Sequence, residues 1–187
     1  MLSRFFIILG LLAVFGQQVG ASEYEDLLNE IVAGPIAVVV SRDQVRAAIA
    51  RQNEQTESYS QNEILALDEK WRAELQAEHQ PLISNVLERD LSDYLKRIQR
   101  NSEGVITEII ITDAVGLNVG LSKVTSDYWQ GDEEKWRVPF QSGRINLGEV
   151  SLDDSTGKVQ AQISVPVRDS RNQTIGTATF AVRVGSD

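Results

Sequence analysis

The sequence predicts an α+β domain in which N-terminal helices pack on a five-stranded antiparallel sheet. Three observations predict it. Up to about Ser102 the apolar residues recur at helical spacing. Beyond it they alternate with polar ones, the period of a strand with one buried face. The turns between these strands are short with one exception, and helices segregated from such a run of strands give an α+β architecture.

In the first half, Leu27, Leu28, Ile31 and Val32 share a face over residues 23–32, and Gly34-Pro35 is expected to end that helix. Ser41-Arg42-Asp43-Gln44 reads as a capping box, opening a helix with Val45 and Ile49 on one face. Ser60-Gln61-Asn62-Glu63 is a second box, ahead of Ile64, Leu67, Trp71 and Leu75 in register. Pro81 suits a first helical position, and Ile83, Val86, Leu87, Leu91, Tyr94, Leu95 and Ile98 then form one long apolar stripe. Residues 101–104 close it.

In the second half, residues 105–112 are rich in β-branched side chains, 113–116 are turn-like, and 117–121 return as a hairpin partner. Ile145 and Leu147 alternate in one phase, Val150 and Leu152 in the other. Gly148 at the change of phase predicts a bulge. After a turn at 153–157, Val159, Ala161, Ile163, Val165 and Val167 alternate with polar residues and Pro166. A turn at 169–172 leads to a last strand, 174–184, burying Ala178, Phe180, Val182 and Val184.

The N-terminus sets the compartment. Arg4, an uncharged apolar run from Phe5 to Phe15 and the small residues of Val19-Gly20-Ala21 form the layout of a secretory signal peptide over residues 1–21. The apolar run is too short to span a bilayer, which takes about 20 residues. Residues 22–187 are then a single domain, helical over 22–102 and sheet over 103–187, in the periplasm. The net charge of −9 at pH 7 becomes one unit more negative once Arg4 is removed, and such a surface repels nucleic acid. There is no cysteine, so neither disulfides nor thiolate metal sites can form.

Catalysis finds no motif. His79 is the sole histidine, no Gly-x-Ser-x-Gly marks a nucleophile, and no phosphate-cradling glycine loop is present. The expectation is a non-enzyme without cofactor or metal. The informative segment is the long connection from Ser122 to Gly143, because long connections in compact domains usually carry function. Asp127, Tyr128, Trp129, Gln130, Asp132 and Trp136 lie in it, with Arg144 just beyond. Aromatic faces beside carboxylates suit a ligand with an apolar or cationic part, and arginine can fork onto a ligand carboxylate. One reading makes Tyr128 and Trp129 a lid that closes over a ligand. The other makes this stretch a short helix whose tryptophans are packing anchors.

Several stretches together resemble the periplasmic PDC-type sensor domains, the single-module Cache group. They are Ile109-Ile110-Ile111-Thr112-Asp113-Ala114-Val115-Gly116-Leu117-Asn118-Val119, then Thr125-Ser126-Asp127-Tyr128-Trp129-Gln130-Gly131-Asp132-Glu133 and Lys135-Trp136. Asp153-Asp154-Ser155-Thr156-Gly157, Ile175-Gly176, Gln52-Asn53 and Leu67-Asp68-Glu69-Lys70-Trp71-Arg72 fit the same pattern. The resemblance implies a long N-terminal helix on a five-stranded PAS-like sheet, and a small organic ligand held between the sheet and the loops above it. Such modules usually form the outer part of a receptor. No membrane helix or signalling module follows Asp187 here, so the expectation is a free-standing binding domain serving a separate membrane sensor protein. The alternative is an interaction protein that keeps the fold without a ligand. In related modules the N-terminal helix often mediates dimerisation, so Leu27, Leu28 and Ile31 are expected either to form a homodimer contact or to cap the sheet.

Overall fold

The structure, a computed structural model, describes residues 28–148, 150–153 and 158–183. The expected signal peptide, the turn at 153–157 beyond its first residue, and Val184 lie outside the described residues. Among the described residues, six α-helices lie beyond the helical stretch 28–31: α1 (Ala37–Val40), α2 (Asp43–Thr56), α3 (Gln61–Glu74), α4 (Pro81–Leu87), α5 (Asp90–Asn101) and α6 (Glu134–Arg137). The strands are β1 (Ile106–Thr112), β2 (Asn118–Leu121), β3 (Asn146–Leu147), β4 (Ser151–Asp153), β5 (Lys158–Arg168) and β6 (Thr174–Arg183). All pairings are antiparallel, in the order β2-β1-β6-β5-β3, with β4 also on β5. β3 and β4 are one edge strand interrupted at Gly148. Between the pairs Leu147↔Ile163 and Ser151↔Gln160, the edge strand advances four residues while β5 advances three. That extra residue is the bulge the phase change predicts, and it leaves a sheet of five strand positions.

Three helical expectations are corrected. Gly34-Pro35 does not end the first helix. Residues 28–31 run into a π-helical turn, Val32–Ile36, and on into α1. The wider turn accommodates the Pro35 ring and its missing N–H, where a regular α-turn would clash. Ser41 does not cap α2. Its hydroxyl donates to the Val38 carbonyl at 3.0 Å, and α2 begins after Arg42 with no side-chain cap. The stripe from Pro81 to Ile98 is two helices. Arg89 is extended (φ −68°, ψ 146°), and its guanidinium turns inward to Gln52 Oε1 (2.7 Å) and Val119 O (2.9 Å). Ser92 Oγ and Lys96 Nζ donate to the Val86 and Leu87 carbonyls, satisfying the end of α4. The box at Ser60 forms as expected, with Glu63 reaching back to the Ser60 N–H at 2.7 Å.

Strand parity builds the main core. Ala161, Ile163, Val165 and Val167 of β5 and Ala178, Phe180 and Val182 of β6 meet Ile36, Val39, Val45, Ile49, Leu91 and Leu95 from the helices. Each large side chain so buried contributes about 1.5–3 kcal/mol. Leu28 and Ile31 belong to this cluster, so these two side chains cap the sheet, while Leu27 lies outside the described residues. Leu28→Glu is therefore expected to abolish the cooperative unfolding transition seen by circular dichroism, rather than to split a dimer of folded chains.

Candidate ligand-binding site

Apart from 153–157, the stretches singled out in the sequence meet one another in space, as two clamps. In the first, the turn between β1 and β2 is held to α2. Asp113 is fully buried, and its Oδ1 accepts from the Val115 and Leu117 backbone N–H groups at 3.0 and 2.8 Å. Its Oδ2 meets Gln52 Nε2 at 2.9 Å and Thr56 Oγ1 at 3.0 Å. Gly116 closes the turn at φ +89°, and a Cβ there would strike the Gly131 backbone. Asn53 completes the clamp, donating to Ile175 O and accepting from the Ala114 N–H, each at 2.8 Å. Burial pushes the Asp113 carboxyl above its ordinary value, against four hydrogen bonds that pull it down.

In the second clamp, α3 holds the start of the long connection. Asp68 Oδ1 accepts from the Tyr128 and Trp129 N–H groups at 2.8 and 3.0 Å, and its Oδ2 pairs with Arg72. Arg72 also meets Asp127 Oδ1 at 2.8 Å. Trp71 is fully buried, donates through Nε1 to Thr125 O at 2.8 Å, and stacks on Tyr128 with centroids 5.2 Å apart. Two of the expected lid residues are thus spent on packing. Tyr128 belongs to a second core cluster with Ile64, Ile83, Val86, Ile110, Leu117 and Leu121. Trp129 lies against Gly131 and donates to Val115 O at 2.8 Å.

Burial pushes the Tyr128 hydroxyl up to about 12 from 10.0. A raised folded value stabilises the fold fully below pH 10 and loses that contribution as pH rises through about 12. Two pH units correspond to about 2–3 kcal/mol. In urea melts between pH 9 and 12, wild type is expected to lose stability that Tyr128→Phe retains.

Beyond the clamps, the long connection crosses the sheet face opposite the main core. α6 and the π-helical turn Val138–Ser142 pack on β5 and β6. They are pinned by Trp136 Nε1 to Asp113 O (3.1 Å) and by Arg168 to Gly143 O (3.1 Å), and Trp136 stacks on Phe140 at 4.7 Å. Beneath lies the polar parity of the strands, and it is not the solvent face. Thr112, Thr177, Thr179 and Ser164 are each at most 3% exposed. Their hydroxyls pair across strands, Thr112 with Thr177 at 2.6 Å and Ser164 with Thr179 at 3.0 Å. Asn118, opposite Thr112 in register, extends this wall onto β2 and is fully buried.

No family model matches the chain, and no curated protein matches it. Solved structures do. The extracellular domain of the histidine-kinase candidate rpHK1S-Z16 aligns with a TM-score of 0.41 at 14% identity, over 69% of this chain and 58% of that one. The ligand-binding domain of the Pseudomonas aeruginosa PAO1 amino acid chemoreceptor PctC, in complex with GABA, aligns at 0.37 and 15% identity, over 86% and 62%. The Escherichia coli DcuS sensor domain aligns at 0.36 and 14%, over 75% and 92%. The chain is similar to sensor domains of histidine kinases and chemoreceptors. It spans less than two thirds of the length of the first two.

Of the seven residues expected at the site, Asp127, Tyr128 and Trp129 serve the second clamp. Asp132 and Arg144 are exposed, and Arg144 bonds to Ser142 nearby. Gln130 and Trp136 remain beside the polar wall. Gln130 Nε2 donates to Asp127 O at 2.8 Å, the same carbonyl that accepts from Asn118 Nδ2 at 2.9 Å. The hydroxyl wall itself was missed in the sequence. Its signal was present as the alternate parity of 160–166 and 177–181, where Gln160, Gln162, Ser164, Thr177 and Thr179 are all uncharged in place of the Lys and Glu usual on a solvent face. Among the described residues no helix is long and apolar enough to cross a membrane, and no group of His, Cys, Asp and Glu could hold a metal ion.

Proposed function

We propose that this chain is a non-catalytic, periplasmic small-molecule-binding domain that reports to a separate membrane sensor. The observation that carries the reading is the buried hydroxyl wall under the α6 segment. Stability alone favours apolar side chains there, because burying polar groups gains little even when they are paired. A ligand seated between wall and roof gives those hydroxyls a use, and Trp136, whose indole bonds to Asp113 O and stacks on Phe140 of the same roof, is the residue placed to cover it. The receptors that PctC and related domains serve supply the model for signalling, and the export route follows from the N-terminal layout of residues 1–21.

The test is a thermal-shift screen with amino acids, polyamines, carboxylates, sugars and nucleobases, repeated on Thr112→Val/Thr177→Val. Replacing both partners of a buried hydrogen bond by isosteric apolar groups is close to neutral for stability. A hit on wild type that disappears in the double variant, with the unliganded melting temperature unchanged or higher, supports a binding wall. A hit of equal size in both sinks it. Trp136→Ala is expected to weaken the same hit by about 1–3 kcal/mol.

The second reading, an interaction protein, has its own observation. Ile145, Leu147, Val150 and Val159 are exposed together at the β3 edge of the sheet, the kind of patch that docks on another protein. A flat screen with co-purification of a defined partner favours it. A homodimer through the first helix would use its outer side, where Val38 is exposed.

A further inference from the structure

Two buried acceptors occur at the end of the hydroxyl wall, on side chains that share one hydrogen-bond partner. Asn118 Oδ1 and Gln130 Oε1 have no hydrogen-bond partner among the described residues, though Asn118 is fully buried and Gln130 is 2% exposed. Their orientation is fixed. Each amide nitrogen donates to the Asp127 carbonyl, and Asn118 Nδ2 donates as well to Thr125 Oγ1 at 3.0 Å. Thr125 passes its own proton to Asp127 O at 2.6 Å, so flipping either amide would set oxygen against oxygen. A buried acceptor left unpaired costs about 1–3 kcal/mol, and here two such oxygens belong to amides joined through the Asp127 carbonyl.

The charge of the missing donor follows from the neighbours. The carboxylates of the two clamps are engaged: Asp113 by four hydrogen bonds, Asp68 by two backbone N–H groups and Arg72, and Asp127 by Arg72. The Lys135 ammonium is paired with Glu133 at 3.0 Å. The wall offers hydroxyls and amides only. An ion brought there would lose its hydration without meeting a counter-charge, whereas each neutral N–H or O–H group loses little and completes a hydrogen bond to one of the acceptors. We infer that the ligand is an uncharged molecule presenting hydrogen-bond donors, of the carboxamide, lactam or polyol kind, to Asn118 and Gln130. This inference rests on the binding reading above and narrows it.

The experiment titrates the purified full-length chain with three probe sets, followed by melting temperature and calorimetry. They are neutral donors (uracil, acetamide, glucose), cations (methylammonium, putrescine) and anions (acetate, succinate). At least one neutral probe is expected to raise the melting temperature by several degrees while the ions do not. Its alkylated counterpart (1,3-dimethyluracil, N,N-dimethylacetamide or permethylated glucose) keeps the shape without the donors and is expected to bind at least tenfold more weakly. Gln130→Met is expected to weaken the parent probe at least tenfold, and the alkylated pair keeps the test valid should that variant not fold. Binding by charged probes alone overturns the inference and leaves the binding reading intact, as does equal binding of parent and alkylated probes. No binding in any set, with one water bridging the two oxygens in a crystal structure, overturns both.

Discussion

Trp71→Ala is expected to cost the domain about 3–5 kcal/mol, a large share of the roughly 5–15 kcal/mol that holds such a domain folded. Three losses add at one position. The indole is fully buried between α3 and the long connection, among Ile64, Ile83 and Val86. Its stack on Tyr128 goes with it, and so does the bond that occupies Thr125 O. Urea unfolding followed by far-ultraviolet circular dichroism measures the shift. Trp71→Phe is expected to recover most of the packing and the stack but not the bond, ending within about 1–2 kcal/mol of wild type. If Trp71→Ala melts like wild type, the second clamp is not part of the folded core.

Asp113→Ala is expected to be similarly severe, at about 3–5 kcal/mol, because it strands several buried partners at once. The Val115 and Leu117 N–H groups, Gln52 Nε2 and Thr56 Oγ1 all converge on this carboxyl. Asp113→Asn keeps one oxygen for the two backbone donors but turns its amide N–H groups toward Gln52 Nε2, so it is expected to cost less than the alanine. The pH dependence separates the two effects. The folded Asp113 value is raised from 3.8, so its contribution is fully present below about pH 3.8 and lost as pH rises through the folded value. The difference in stability between wild type and Asp113→Asn is therefore expected to shrink as pH rises through that range, measured by chemical denaturation at fixed ionic strength. A difference independent of pH would mean that Asp113 titrates alike in folded and unfolded chains.

The two clamps also relate the site to the helices. Trp136 of the roof hangs on the Asp113 carbonyl, while the Asp113 carboxyl is held by α2. Gln52 carries that contact on to Arg89, the residue that splits α4 from α5. A movement of the roof on binding would reach the helical layer through this chain of polar contacts. No such movement is needed for the wall to bind.

The strands were legible in the sequence because their information is local. A period of two tells which side of β5 or β6 is apolar, the Gly148 phase change tells where the edge strand bulges, and Asp113 to Gly116 spells its turn. The capping box at Ser60 was legible for the same reason. Helix ends decided by distant partners were not. Arg89 breaks the long stripe because Gln52 and Val119, far away in the chain, offer its guanidinium acceptors. The helix continues past Gly34-Pro35 because Ile36 and Val39 beyond it are needed in the core. The site shows the same division. Sequence pattern found the long connection and the residue types on it, but could not say which aromatic is buried. Tertiary structure sent Tyr128 against Trp71, left Trp136 over the wall, and turned the polar parity of β5 and β6 inward. Alternation fixes that two faces differ. Only the element packed on each face determines whether the polar one meets solvent or the inside of the protein.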